Sequence, residues 1–270
     1  MGTLYLVATP IGNLEDISLR AMRVLKEVSL IAAEDTRRTR KLLSHYDIHT
    51  PLTSYHEHNK RAKLGYLLKQ LAEGDVAVVS EAGTPGMSDP GYELVVACIE
   101  RGVAVVAVPG ASVLPAAVVV SGLPTSRFLF LGFLSRREGE RKRVLVEVAL
   151  LPYTLVALEA PHRLRRTLVL MREVLGERRM ALCRELTKYH EEVFRGTPST
   201  ALERFTEPLG EFTLVIEGAP AGRVDMAAVE VELGRLKGQG LTARDALAEM
   251  SGVSGLSRRE LYRLWLKLKA

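Results

Sequence analysis

The chain has 270 residues, 47% hydrophobic and 26% charged, and its Lys and Arg exceed Asp and Glu by 37 to 32, a formal charge of +5. A chain this long buries enough surface to fold without a metal or disulfide staple, and its composition excludes collagen-like, disordered and secreted disulfide-rich classes. The mild basic excess is compatible with a polyanionic partner.

The first residues, Met1-Gly2-Thr3-Leu4-Tyr5, carry no basic stretch ahead of an apolar run, so no signal peptide is predicted. Cys98 and Cys183 lie far apart among Val, Ala and Leu and read as reduced core thiols of a cytoplasmic protein. Thr3 to Ala8 is predicted as a strand, Ile17/Ala21/Leu25/Val28 as the apolar face of a helix, and Leu30 to Ala33 as a second strand. Lys60 to Ala72 has a helical period, with Leu64, Leu67, Leu68 and Leu71 on one side. Val76 to Val79 and Val103 to Val108 are apolar runs too short for helices, each after a turn signal. Apolar strands alternating with helices imply a parallel sheet covered on both faces, which binds ligands at the carboxyl ends of its strands. Gly102 to Ser126 has no charged side chain, yet Pro109-Gly110 and Pro115 divide it into a strand, a loop and a helix rather than a membrane span.

Near Pro124 the texture changes. Phe128 to Phe133 reads as a strand, followed by the charged Arg136 to Arg143, a strand at Thr154 to Leu158 and a helix through Leu164, Leu168, Met171 and Leu175. Strands are then predicted at Met180 to Arg184, His190 to Gly196 and Phe212 to Glu217, the first two as an antiparallel pair in a mixed sheet. After Gly218 the pattern is helical. Thr242 and Ser257, each three residues before an acid (Asp245, Glu260), start two short helices. Joined by Gly252 to Gly255, they read either as a helix-turn-helix or as a small helical cap on the main body. The expected organisation is an α/β domain at 1–122 with a mainly parallel sheet, an α/β domain at 123–222 with a mixed sheet, and a helical tail at 223–270.

The chain has no Walker A motif, no G-x-G-x-x-G and no H-E-x-x-H. The post-strand loops carry other signals. Thr9-Pro10-Ile11-Gly12-Asn13 combines a missing donor with a tight turn. Glu34-Asp35 emerges from a buried strand beside Arg37, Arg38, Arg40 and Lys41, so either acid could be a base or hold a substrate hydroxyl, or the pair could be a helix cap with a salt-bridged surface. Ser54-Tyr55-His56-Glu57-His58-Asn59 offers stacking and proton-transfer groups, but without further Cys or His nearby no metal is assigned. Ser80 to Gly91 joins rigidity to near-absence of charge and reads as a ligand cradle, with Asp89 expected to cap the next helix and Pro90 at its first position. Pro109-Gly110-Ala111-Ser112 is either a seat for an adenosine-sized group or a tight turn in a packed core. The clusters Arg136 to Arg143 and Pro161 to Arg166 read either as solvated helix faces, the usual setting of charge runs, or, gathered near the domain junction, as a nucleic-acid contact.

Taken in order, Thr9 to Leu14, Glu34 to Arg37, Ser54 to Asn59, Ser80 to Pro85 with Ser88 to Gly91, and Pro109 to Ser112 resemble the motif set of the RNA-modifying branch of the tetrapyrrole (precorrin) methylase family. The resemblance continues through Gly132-Phe133-Leu134, Glu159 to Arg163, Arg184 to Lys188 and Gly210 to Thr213, nearly the whole chain. Corrin-modifying members usually carry a glycine-rich acidic loop after the first strand, where this chain has Thr9 to Asn13, and position 81 is Glu where the family commonly has Asp. The resemblance implies two α/β domains with S-adenosylmethionine in the cleft between them, a homodimer, and methylation of the ribose 2′-oxygen of a cytidine in the decoding region of 16S ribosomal RNA. It implies cofactor contacts from Pro10; from Ser80, Glu81, Ala82, Gly83, Thr84, Pro85 and Asp89; from Pro109, Gly110, Ala111 and Ser112; and from Glu159 and Ala160. Asp35, Glu81 or His56 would take or orient the hydroxyl proton, and Arg37, Arg38, Arg136, Arg137, Arg141, Lys142 and Arg143 would hold the RNA. A small-molecule tetrapyrrole methyltransferase would share the fold without needing the basic clusters; a non-catalytic RNA-binding protein would not need the rigid 80–91 loop.

Overall fold

The computed structural model describes residues 2–220, 226–254 and 256–268. The chain divides into two compact units: Met1–Ala117 with Arg184–Glu192, and Val118–Cys183 with Val193–Ala270. The expected start of the tail at 223 and Gly255 of the expected turn lie outside the described residues.

The first unit holds a five-stranded sheet in the order β3-β2-β4-β1-β5, built from β1 (Thr3–Val7), β2 (Leu30–Ala33), β3 (Leu52–Ser54), β4 (Val76–Val79) and β5 (Ala104–Val108). Every pairing is parallel. Four of these strands match expectation; β3, only three residues long, does not stand out as an apolar run. Alternation along the strands feeds two cores. Ile31, Ala33, Ala77 and Val79 pack with Ala21, Val24 and Leu25 of α1 (Leu19–Glu27) and Leu43 of α2 (Thr36–His45). Leu30, Ala32, Val76 and Val78 pack with Leu67 and Leu71 of α3 (Lys60–Glu73) and Leu94 and Cys98 of α4 (Tyr92–Glu100). The α1 and α2 crossovers step toward β3, and those of α3 and α4 step back toward β5, so right-handed connections put the two pairs on opposite faces. A nine-residue helix, α5 (Val113–Ser121), follows β5.

The second unit carries a five-stranded sheet in the order β6-β7-β10-β8-β9, from β6 (Phe128–Phe133), β7 (Thr154–Glu159), β8 (Met180–Arg184), β9 (Glu192–Gly196) and β10 (Phe212–Ile216). It is mixed, since β6 runs parallel and β10 antiparallel to β7. Its core gathers Leu145 of α6 (Glu138–Glu147), the four expected residues Leu164, Leu168, Met171 and Leu175 of α7 (Pro161–Leu175), and Ala201 of α8 (Pro198–Arg204). The tail adds α9 (Met226–Gly238), α10 (Ala243–Val253) and α11 (Arg258–Lys267), closed around Leu233, Met250, Leu261 and Trp265. Thr242 and Ser257 cap α10 and α11 as expected, whereas the expected turn is still helix up to Val253. Among the described residues, no helix is long and apolar enough to cross a membrane.

Candidate active site

Because all strands of the first sheet are parallel, the loops after β1, β2, β3, β4 and β5 leave it at one end. Two of them are stitched together: Thr9 N–H donates to the Gly83 carbonyl at 2.9 Å and Gly83 N–H to the Thr9 carbonyl at 3.0 Å. Gly83 has φ +80°, and a Cβ there would meet Ile11 Cγ2 at 3.3 Å and the Ala111 carbonyl oxygen at 3.8 Å. The loops after β1, β4 and β5 therefore converge within one side-chain length. Buried Ser80 supports the bend by donating to the Gly83 carbonyl at 3.4 Å. Thr9, on one side of that bridge, has its Oγ1 buried with no partner among the described residues. A buried hydroxyl left unmatched is costly, so it marks a place for a polar ligand or water.

The Ser80–Gly91 loop is shaped by left-handed backbone at Gly86 (φ +84°) and Ser88 (φ +69°). Asp89 does not cap α4. The N-cap is Gly91 at φ +158°, without a side-chain hydrogen bond, and a Cβ there would lie 3.2 Å from Gly86 Cα. Asp89 instead interacts with the Ser80 hydroxyl and the Glu34 charge.

A second segment braces the β1 loop from far along the chain. Asn13 N–H donates to Thr187 Oγ1 at 3.2 Å, and a Cβ on Gly12 would overlap Lys188 Cγ at 2.4 Å and Thr187 Oγ1 at 2.6 Å. Glu185 and Thr187 adopt φ of +50° and +67°. Apart from the family resemblance, nothing in the sequence couples residues 12–13 to 187–188.

The acids separate by environment. Asp35 Oδ1 accepts from the Arg37 N–H at 2.8 Å and the Arg38 N–H at 3.2 Å, so it caps α2. These bonds hold its carboxyl below the usual range. The helix-cap reading of Glu34-Asp35 is the one realised at Asp35, which makes it a weak proton acceptor. Glu81 is exposed and paired with Arg38. Its N–H donates to Glu34 Oε2 at 3.2 Å. Burial raises the Glu34 carboxyl, a shift opposed by His56 and assisted by Asp35. Burial also pushes Asp89 up to about 6, with the Glu34 charge adding to the shift and the Ser80 hydroxyl opposing it. His56 Nδ1 is buried without a partner. Glu34, His56, Ser80 and Asp89 thus form one polar cluster beside the stitched loops. Of its members, sequence reading singled out His56 for proton chemistry, left Glu34 an alternative to Asp35, and gave Asp89 a helix-cap role and a cofactor contact, Ser80 a cofactor contact.

In the second unit Glu159 is buried, and its carboxylate is committed within that unit. Oε1 accepts from Ala160 N–H at 2.8 Å and pairs with Arg163 at 2.7 Å, while Oε2 accepts from Thr167 at 2.5 Å. A cofactor contact through this side chain is not supported; the carboxylate instead secures the start of α7. Arg141, expected to hold RNA from the surface, is buried at 3% exposure, with Nη1 donating to the Ser135 carbonyl at 3.1 Å. Its i, i+4, i+7 spacing with Leu145 and Val148, both buried, was the sequence signal that it faces inward. Arg136, Arg137, Lys142 and Arg143 are exposed; Arg137 pairs with Glu140 at 3.1 Å and Lys142 with Glu173 at 2.5 Å. In the first unit Arg37 is exposed, 3.9 Å from Asp35.

A family profile described as Tetrapyrrole (Corrin/Porphyrin) Methylases matches residues 3–201. A "Ribosomal RNA small subunit methyltransferase I" of Synechocystis sp. is 50% identical over 277 aligned positions, 100% of this chain and 99% of that protein. One of the same name from Thermotoga maritima is 48% identical over 81% of this chain and 99% of itself. Among solved structures, a uroporphyrin-III-C-methyltransferase from Thermus thermophilus superposes with a TM-score of 0.57 at 22% identity, covering 80% of this chain and 94% of that one, which supports the fold alone.

Proposed function

Since the chain belongs to the tetrapyrrole methylase family, on the side of its ribosomal RNA small subunit methyltransferase I members, we propose that this methyltransferase modifies the ribose 2′-oxygen of a cytidine in the decoding region of 16S ribosomal RNA. S-adenosylmethionine, when bound, supplies an electrophilic methyl group on a sulfonium. The observation that carries the reading is the convergence of three glycine- and proline-rich loops at Gly83, bridged to Thr9, whose hydroxyl is buried and unpartnered.

The residues fit such a ligand. Main-chain groups of Ser80 to Pro85 and Pro109 to Ser112, with Pro10 beside them, bind the adenosyl portion, and the small side chains let it approach the backbone. Methyl transfer to a hydroxyl needs in-line placement and a proton acceptor. Asp89 and Glu34 are better placed for that role than Asp35 or Glu81. Their raised affinity for a proton suits work near neutral pH, whereas Asp35 is held by a helix end and Glu81 by Arg38. His56 remains the third candidate, its free Nδ1 able to relay a proton. Exposed Arg37, Arg136 and Arg143 are available to phosphates, and Arg38, Arg137 and Lys142 become so on leaving Glu81, Glu140 and Glu173. The reading places the protein in the cytoplasm with its ribosomal substrate. It also includes self-association through β5, an edge strand among the described residues, with Ala104, Ala107 and nearby Ile99 of α4 exposed.

Small subunits lacking the modification, incubated with protein and labelled S-adenosylmethionine, should acquire one methyl group, which nuclease mapping by mass locates on a cytidine ribose. Asp89→Asn and Glu34→Gln should each slow turnover by about 100-fold or more, whereas Asp35→Asn, which preserves the cap, should change it little. Label on a base, or on a tetrapyrrole in place of RNA, would overturn the reading. Light scattering should give twice the chain mass.

A further inference from the structure

The second unit contains a cavity of about 540 Å3 lined by Arg136, Glu138, Arg141, His162, Arg163 and Arg166. Four guanidinium groups share it with a single lining carboxylate. Its walls are the starts of α6 and α7. These helices follow β6 and β7, which are parallel neighbours, so both helix N-termini lie at the same end of the sheet. Neither N-cap, Arg137 or Ala160, supplies a side-chain hydrogen bond. Both helix ends therefore add partial positive charge.

The inner cations are incompletely satisfied. Arg163 is neutralised by Glu159 at 2.7 Å and donates to the Leu134 carbonyl at 3.0 Å, but its Nε is buried without a partner. Arg141 Nε is likewise buried and unpartnered, and its Nη1 donates to a neutral carbonyl, that of Ser135. A guanidinium at 3% exposure without a counter-charge is expensive to bury. The planar fork of Arg matches a phosphate, which would supply the counter-charge that Arg141 lacks. Exposed Arg136, His162 and Arg166 surround this inner pair.

We propose that this cavity seats a backbone phosphate of the RNA substrate, with Arg141 and Arg163 as its inner ligands and Arg136 and Arg166 as its outer ones. The inference rests on the reading that the substrate is RNA. It replaces a diffuse surface contact at 136–143 with one defined pocket and extends it to α7.

The test uses the full chain, a labelled single-stranded oligoribonucleotide and inorganic pyrophosphate as probes. The double variant Arg136→Ala/Arg166→Ala changes only exposed residues; Arg141→Lys retains charge but loses the fork. Each should bind the oligoribonucleotide about tenfold more weakly. The double variant should also lower the slope of log affinity against log salt by about 0.7, one single-strand phosphate contact. Calorimetric affinity for S-adenosylmethionine should be unchanged. Pyrophosphate should compete with the oligoribonucleotide on the wild type and not on the double variant. Wild-type affinity and slope in both variants would overturn the proposal. Loss of pyrophosphate binding with an unchanged RNA slope would overturn it too, leaving an adventitious ion only. If wild-type protein methylates no ribosomal RNA but the slope still falls, the phosphate seat stands and the proposed function fails. If it methylates RNA and the slopes match, only the seat fails.

Discussion

Two aspartates beyond the ends of β2 and β4 carry opposite shifts, and the difference is geometric. Asp35 meets the free N–H groups of a helix start and favours its charged form; Asp89, half-buried near Glu34, favours its neutral form. An unfolded Asp89 titrates near 3.8, and the folded one at about 6. The folded protein thus holds the proton more tightly, a contribution to stability that is complete below pH 3.8 and lost as pH rises through 6. Asp89→Asn should therefore melt close to wild type at pH 4 and above it at pH 8, as read by calorimetric scans; a gap independent of pH would contradict the assignment. Sequence reading found the residue types here but misjudged two settings. Asp89-Pro90 has the local grammar of a helix start, yet the glycine at 91 takes the cap because the loop folds back on Gly86. Arg141 sat in a run of charges whose helical phase, not its composition, decided burial.

Secondary elements were most legible where burial is two-sided. The strands β1, β2 and β4 are continuous apolar runs because helices cover both faces of their sheet, and no competing period obscures them. Leu52-Thr53-Ser54 escaped notice since an edge strand of three residues needs little apolar character. Packing at element junctions yields two stability predictions. Leu168 of α7 is fully buried in the second core, so Leu168→Ala should cost about 2–5 kcal/mol in chemical denaturation. Gly218 follows β10, where a Cβ would lie 2.4 Å from the Pro152 carbonyl carbon and 2.6 Å from Tyr153 main-chain atoms. Backbone cannot yield as a side-chain tip does, so Gly218→Ala should destabilise by about 1–3 kcal/mol. An unchanged denaturation midpoint would show that the β7 entry can shift.

At the scale of the molecule, the tail is separable in composition and in core. Its helices close around their own cluster, Val229, Leu233, Leu236, Met250, Leu261 and Trp265 among them. Truncation after Pro220 should accordingly leave S-adenosylmethionine affinity within about twofold by calorimetry; its loss would show that the tail supports the catalytic body. The order of the elements was readable from texture, but the discontinuity of the first unit was not, because residues 184–192 have no periodicity that points back to residue 12.

That discontinuity has a consequence for biosynthesis. β1 leaves the ribosome first, yet its neighbours β4 and β5 arrive only with residues 76–79 and 104–108, and the Thr187 brace for its loop comes after β8. A nascent chain can thus assemble the first sheet while its Gly12 turn is still unsupported, and a stalled product ending before residue 184 would lack the strut altogether. Chaperones and proteases meeting such an intermediate would find the loop after β1 as the last part of the unit to become rigid.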